Sequence, residues 1–370
     1  MFKSHSWRQH APDYIIGSMT FILVIVGLVM LTSASSDIGQ TKFNDSYYYL
    51  KHQLLYGFSI GIIGFLIASQ VYYRFYKKIA VPLLLVSIVF LLLMFTPLGV
   101  TSGGAIRWIE IGPVTFQPSE LLKITFIIYL ASWLSGKSDR LRSFSGGFIP
   151  FLIISGIVAL LLILQPSTSS AAILLLSGLI IYFTSGARVS YIIGAVALGI
   201  VALLIVSYLT PYRWARITSF FNQESNTQTT SYQLEQARIA IGSGGLFGVG
   251  FGQSTTKVHY LPQPIDDSIF AVIAEEFGFI GSMALIFIFI ILMVRTFILS
   301  KRIRDDFGRL VLIGFASLIG IQTFTHIGAI SGLIPLTGTP LPYISYGGTA
   351  LAVFMTISGI IVNISTHIRN

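Results

Sequence analysis

GFGQSTTKVHYLPQPIDDSIFAVIAEEFGFIG, from Gly250 to Gly281, opens as a glycine-rich polar loop and passes through Tyr260-Leu261-Pro262-Gln263-Pro264 to Asp266 and Asp267. It then runs directly into a long apolar segment carrying Glu275 and Glu276. One pair of carboxylates stands at the mouth of a hydrophobic helix, and a second pair lies inside it. An acid costs about 2.5 to 3.5 kcal/mol at mid-membrane on insertion scales, so acids placed this way are candidates for function. Asp267 also suits the N-cap of the helix that follows, its charge at the positive end of the dipole. Both duties are open to it.

The rest of the chain sets the solvent. Of 370 residues, 54% are hydrophobic and 10% charged, and the mean hydropathy is +0.81. Apolar runs near 20 residues recur, each long enough to cross a hydrocarbon core of about 30 Å as a helix. Continuous runs such as Phe148 to Leu164 exclude the alternating strands of a membrane β-barrel. The expected fold is all-α: a polytopic membrane protein, one integral membrane domain over 1–370, with about ten transmembrane helices. Spans are expected near 14–31, 52–70, 79–97, 119–135, 148–165, 171–187, 190–209, 268–299, 309–330 and 347–366. The apolar run after Lys3 and Arg8 exceeds a signal-peptide core and reads as a retained first span. The formal charge of +9 does not point to nucleic acid, because the basic residues are dispersed between apolar runs. With no cysteine, disulfides and thiolate metal sites are excluded.

Alternate connections fall on opposite sides. Lys3, Arg8, Arg74, Lys77, Lys78, Lys137, Arg140, Arg142, Arg188, Arg295, Lys301, Arg302, Arg304, Arg309 and Arg369 fall on one side. Lys42, Lys51, Arg107, Lys123, Arg213, Arg216, Arg238 and Lys257 fall on the other, fifteen against eight. Positive charge gathers on the cytoplasmic side, so both termini are expected there and Asp267 outside. Between helices 7 and 8 lies a large extracytoplasmic loop, 211–267, in which Tyr232 to Ile241 reads as a short amphipathic helix. A second external segment, from Ser331 to Gly348, is rich in proline and glycine and uncharged.

Several constellations carry chemistry. Glu120 and Lys123 lie three apart and share a helix face; they pair with each other, or Lys123 reaches an anionic headgroup. Glu275 and Glu276 point about 100° apart, which favours a structural network. Arg213, Arg216 and Lys257 are placed to hold a lipid phosphate or pyrophosphate. Gly242-Ser243-Gly244-Gly245 and Gly248 to Gly252 lack the strand and the Gly-Lys-Ser/Thr of nucleotide loops, and read as turn glycines. The six histidines form no tight metal-ligand pattern, and His326 reads as a packing residue.

In this order the motifs resemble the SEDS family (shape, elongation, division and sporulation), which includes RodA, FtsW and SpoVE. The resemblance covers essentially the whole chain. Its carriers are Arg107-Trp108 with Gln117-Pro118-Ser119-Glu120 and Lys123, Gln165-Pro166, Tyr212-Arg213 with Arg216 and Phe220, and Ile239 to Gly245. They continue with Tyr260-Leu261-Pro262, Asp267 with Ile269-Phe270-Ala271 and Glu275-Glu276, and end in Pro340-Leu341-Pro342 with Ser345-Tyr346-Gly347-Gly348. Gly252, Ser254 and Lys257 favour the FtsW and SpoVE branch over RodA. The resemblance implies a peptidoglycan glycosyltransferase that polymerises lipid II at the outer face of a bacterial cytoplasmic membrane, beside a class B penicillin-binding protein. It maps the family's essential acid to Asp267, as general base. Arg107, Lys123, Arg213, Arg216, Lys257, Glu120 and Ser345 become substrate-binding candidates, with a divalent cation, Mg or Mn, as the alternative neutraliser of the pyrophosphate. Three departures stand out: Ile265-Asp266 where the family has His-Thr, which makes Asp266 a second candidate for the base; Ser167 where it has Asp; and His326 where it has Asn. A lipid-precursor transporter and a non-catalytic scaffold of the division or elongation machinery are the competing readings.

Overall fold

The computed structural model describes residues 10–102, 105–111, 114–136, 143–221 and 230–368. Lys3, Arg8, Lys137, Arg140, Arg142 and Arg369 of the charge count lie outside them, as do residues 222–229 of the long loop. In a hydrocarbon solvent every backbone polar group must be paired within the chain, so apolar runs become helices. Ten long helices occupy the ten expected positions. They are α1 (Tyr14–Phe43), α2 (Tyr48–Gln70), α3 (Ala80–Leu93), α4 (Pro118–Leu134), α5 (Phe144–Leu164), α6 (Thr168–Thr184), α7 (Val189–Tyr208), α10 (Ile269–Arg302), α11 (Asp306–Ile330) and α12 (Gly348–Ser365). Seven are long and apolar enough to cross a membrane, while α3, α4 and α6 have 14, 17 and 17 residues. The long loop adds α8 (Pro211–Phe221) and α9 (Thr230–Ser243), the latter where an amphipathic helix is expected.

α11 and α12 form the buried centre. α12 lies along α2 and also meets α1 and α4, while α11 packs against α10, α6 and α4. α1 runs beside α10, α5 leans on α6, and α7 stays peripheral. Lipid tails are as apolar as leucine, so small and polar side chains supply much of the fit between helices. Thr20 donates to Ser358 across α1 and α12 at 2.9 Å, and Ser87 meets Thr125 across α3 and α4 at 2.8 Å. At the N-terminal end of α1, Asp13 caps the helix by accepting from the Ile16 N–H and takes an ion pair from Arg295 on α10 at 2.7 Å.

Two features go beyond the sequence reading. After α3, β1 (Gly99–Ser102), β2 (Ala105–Ile111) and β3 (Val114–Phe116) form a small antiparallel sheet in that order. The β-branched and aromatic residues Ile106, Trp108, Ile109 and Ile111 favour it, with Ile109 buried. The larger difference lies in α10, where Gly278 takes φ 66° and ψ −165° and breaks the helix. Four backbone groups lose helical partners there, and the glycine loop replaces them. Val249 and Gly250 donate to the carbonyls of Glu275 and Glu276, and Phe279 and Ile280 donate to those of Gly245 and Leu246, at 2.8 to 3.1 Å. Backbone can come this close only without side chains: a Cβ on Gly248 would overlap the Glu276 carbonyl, and one on Gly278 the Gly248 nitrogen. These glycines are therefore more than turn residues.

The acids beside the break fix the loop further. Glu276 Oε1 takes a 2.6 Å ion pair from Lys257 and a 2.6 Å hydrogen bond from Ser33 of α1. Glu275 points the other way and accepts from the hydroxyls of Ser254 and Thr256 and from the Thr255 N–H. The network expected of this pair is present.

Gly248→Ala tests this pairing. Gly248 has φ +82° and no room for a Cβ, whereas Gly242 on α9 has open space around it. Thermal unfolding in detergent should show Gly248→Ala destabilised by more than about 1 kcal/mol and Gly242→Ala close to wild type. Equal melting temperatures would remove the close backbone approach from the account.

Candidate active site

Residues 263–268 and the 331–347 segment meet over the start of α10. Tyr346 donates its backbone N–H to the Ile265 carbonyl at 2.9 Å, and Ser345 Oγ donates to the Asp266 carbonyl at 2.8 Å while accepting from Leu341 N–H. Ser268 N–H and Asp266 N–H both turn back to the Gln263 carbonyl, with Gln263 in the left-handed region at φ 49°. The chain at 263–268 is thus a tight knot held from outside by 341–346. Ser268, not Asp267, is the N-cap residue of α10, and no side chain caps it. The capping duty open to Asp267 in the sequence is not taken up, so its carboxylate is left for other contacts.

That carboxylate faces a narrow cleft shared with Arg216, Gln233, His326, Thr337 and Thr339, which here leaves about 10 Å³, room for about one water. Arg216 donates to the Leu336 carbonyl at 3.3 Å. Gly338, at φ +63°, brings bare backbone so near that a Cβ there would stand 3.3 Å from Asp267 Oδ2 and 3.7 Å from Arg216 Nη1. Burial pushes the Asp267 carboxyl above the usual carboxylate value, and the guanidinium groups of Arg216 and Arg107 pull it part of the way back. Asp266 is pushed up to about 7 by burial, with the Asp267 charge adding to the effect. A carboxylate raised in this way is a stronger base, and one flanked by arginines stays able to ionise.

Arg107 and Arg213 extend the positive charge. Arg107 donates to the Pro166 carbonyl at 3.0 Å and Arg213 to the Ile163 carbonyl at 2.9 Å, so both hold the turn between α5 and α6. Burial and the neighbouring Arg107 lower Arg213 from its usual value, which for arginine leaves it charged. Ser169 ties the same turn to 331–347 through the Thr337 carbonyl at 2.7 Å.

The structure separates the remaining candidates from this group. Lys257 is buried on Glu276, and its ammonium also donates to Ser33 and the Gly252 carbonyl. Lys123 pairs with Glu120 at 2.6 Å, donates to Gln322 on α11 at 2.9 Å and lies over the Phe354 ring. Gln322 passes the link on to the Pro340 carbonyl. Ser345 is buried and spent on backbone. Glu120, Lys123, Lys257 and Ser345 therefore brace the segments that shape the cleft. No group of three or more His, Asp or Glu side chains able to hold a metal ion stands together among the described residues. His326, Gln233, Thr337, Gly338 and Thr339 are cleft residues that the sequence did not single out as site residues. His326, read as packing, sits in the cleft wall, and its standing where the resembled family has Asn was the available signal.

A family model described as cell cycle protein, for FtsW, RodA and SpoVE, matches residues 14–370. A probable peptidoglycan glycosyltransferase FtsW from a Geobacter species is 38% identical over 366 residues, covering 98% of this chain and 99% of that protein. Stage V sporulation protein E of Bacillus subtilis is 34% identical over 363 residues, 98% of this chain and 99% of its own. Among solved structures, a chain of a peptidoglycan synthase complex that couples polymerization and crosslinking superposes with TM-score 0.81 at 25% identity, covering 96% of this chain and 98% of that one. The rod shape determining protein RodA of Thermus thermophilus gives TM-score 0.68 at 26% identity, covering 96% and 97%.

Truncating one partner of a buried ion pair strands the other charge at about 3–5 kcal/mol. Lys257→Met should therefore lower the unfolding free energy by roughly that amount, read by chemical denaturation in detergent. Unchanged stability with weakened substrate binding would return Lys257 to substrate duty.

Proposed function

We propose that this chain, which belongs to the cell cycle protein family of FtsW, RodA and SpoVE, is a peptidoglycan glycosyltransferase that polymerises lipid II with Asp267 as general base. The observation that carries the reading is the Asp267 carboxylate: half-buried, not used as a helix cap, and facing Arg216 in a cleft at the mouth of α10. Transfer from a polyprenyl-pyrophosphate sugar needs a proton acceptor for the attacking hydroxyl, while the pyrophosphate already leaves well. The acceptor oxygen bonds to the anomeric carbon, the bond to the pyrophosphate breaks, the hydroxyl proton passes to Asp267, and the charged pyrophosphate departs with its lipid. Arg216, Arg107 and Arg213 stand on the same side of the bundle as that leaving group and offer forked donors for it. One carboxylate and a set of cations therefore suffice, without the second acid of a glycosidase.

The cleft is nearly filled in this conformation, so α8 and the 331–347 segment must part for a sugar to enter. The protein is a multi-pass bacterial membrane protein. Positive charge gathers at the end opposite Asp267, at Arg74, Lys77, Lys78, Arg188, Lys301, Arg302, Arg304 and Arg309, which supports cytoplasmic termini and an external site. The likeness to a chain of a synthase complex supports a transpeptidase partner, a class B penicillin-binding protein, to crosslink the strands.

Purified protein with its partner, supplied with lipid II in liposomes, tests the assignment. Asp267→Asn should lose polymerisation by about 100-fold or more while still binding lipid II, and Asp266→Asn should keep a measurable rate. Polymerisation near the wild-type rate in Asp267→Asn would reject the general base.

A further inference from the structure

His326 sits on α11 with only half of its hydrogen bonding complete. Its Nδ1 lies 2.7 Å from the Thr339 carbonyl, and a carbonyl only accepts, so Nδ1 carries the hydrogen. In the neutral ring that leaves Nε2 a bare acceptor. Nε2 is buried and has no hydrogen-bond partner among the described residues. Buried polar atoms are almost always paired, and an exception in a cleft points to a group arriving from outside the chain. The ring lines the same space as Asp267, Arg216 and Gln233. Asp267 when ionised can only accept, so it cannot satisfy Nε2. Arg216 donates to the Leu336 carbonyl and Gln233 Nε2 to Ser268 Oγ at 3.1 Å, and neither reaches His326 Nε2. The missing partner is a donor.

We propose that His326 Nε2 accepts a hydrogen bond from a hydroxyl of the sugar that enters the Asp267 cleft, and so orients that sugar against the base. The inference rests on reading the cleft as the glycosyl-transfer site. Asparagine in its place would present an amide oxygen that is an acceptor as well, whereas an apolar side chain would not serve. Thr339 is the positioning group, since its carbonyl selects the tautomer.

The test compares wild type, His326→Asn and His326→Phe in lipid II polymerisation, with initial rates measured against lipid II concentration. His326→Asn should keep most of kcat/KM. His326→Phe, which fills the space without an acceptor, should lose about tenfold or more, chiefly through KM. Wild-type kinetics in His326→Phe would overturn the inference and assign Nε2 to a water or to packing. A second measurement needs no variant: diethyl pyrocarbonate acylates unprotonated imidazole nitrogen, and peptide mapping reads each histidine separately. His326 should react in the free protein and be protected by lipid II. The reagent, like the sugar, reaches Nε2 only when α8 and the 331–347 segment part, so absence of reaction, or reaction indifferent to lipid II, overturns the inference even if His326→Phe does not fold. Should wild type protect His326 with lipid II yet make no polymer, the orienting contact stands and the polymerase reading fails; polymer without protection has the reverse meaning.

Discussion

The break in α10 at Gly278 is the constraint on which the rest of the site depends. Unpaired backbone groups cost several kcal/mol each in an apolar setting, and the break leaves four of them. The residues from Gly245 to Gly250 fill it with their own backbone, which is possible only because Gly248 and Gly278 have no Cβ. Glu275 and Glu276 then clamp the following loop on both sides, one through hydroxyls and N–H groups, the other through Lys257 and Ser33. The long loop between α7 and α10 is thereby pinned to the membrane bundle just before it delivers Asp266 and Asp267. A break in a helix has become the anchor of the loop that carries both acids.

A second layer of buried polar contacts shapes the cleft from the other side. Lys123, Glu120 and Gln322 form a closed network that reaches the Pro340 carbonyl, and Ser345 and Tyr346 grip the backbone at 265–266. Bracing of this kind lets a half-buried acid persist. Desolvation raises Asp267 and the arginines restrain the rise, so the carboxyl is tuned between two opposing effects instead of being set by one. Its neighbour Asp266 lacks the arginine contribution and is raised to about 7. Two adjacent carboxyls with separated tendencies suit one base and one companion that is about half protonated near pH 7.

The sequence shows the bundle well, because hydrophobic length is a strong signal and each of the ten apolar runs became a helix. It also shows Asp267 and the arginines, through motif order and the cost of charge beside hydrocarbon. Pairing is where it was weaker. Lys257 and Lys123 look like phosphate ligands in one dimension, yet each is engaged by a carboxylate: Lys257 by Glu276, nineteen positions away, and Lys123 by Glu120, three away on its own helix. The glycines of 244–252 looked like turns because their partners lie past position 274. His326 looked like packing because nothing local marks a ring nitrogen that only tertiary structure leaves unpaired. These are contacts between distant segments, and a linear pattern carries them only by coincidence.

As the proposed base, Asp267 must be ionised to accept a proton, and the pH dependence of kcat for lipid II polymerisation by the wild-type protein with its partner reads that state. A protonated carboxyl cannot act as base, so the rate should fall as pH drops through an apparent value above the ordinary carboxylate range, set by the Asp266 and Asp267 pair together. A rate that stays level down to about pH 4, with the protein still folded, would contradict the account.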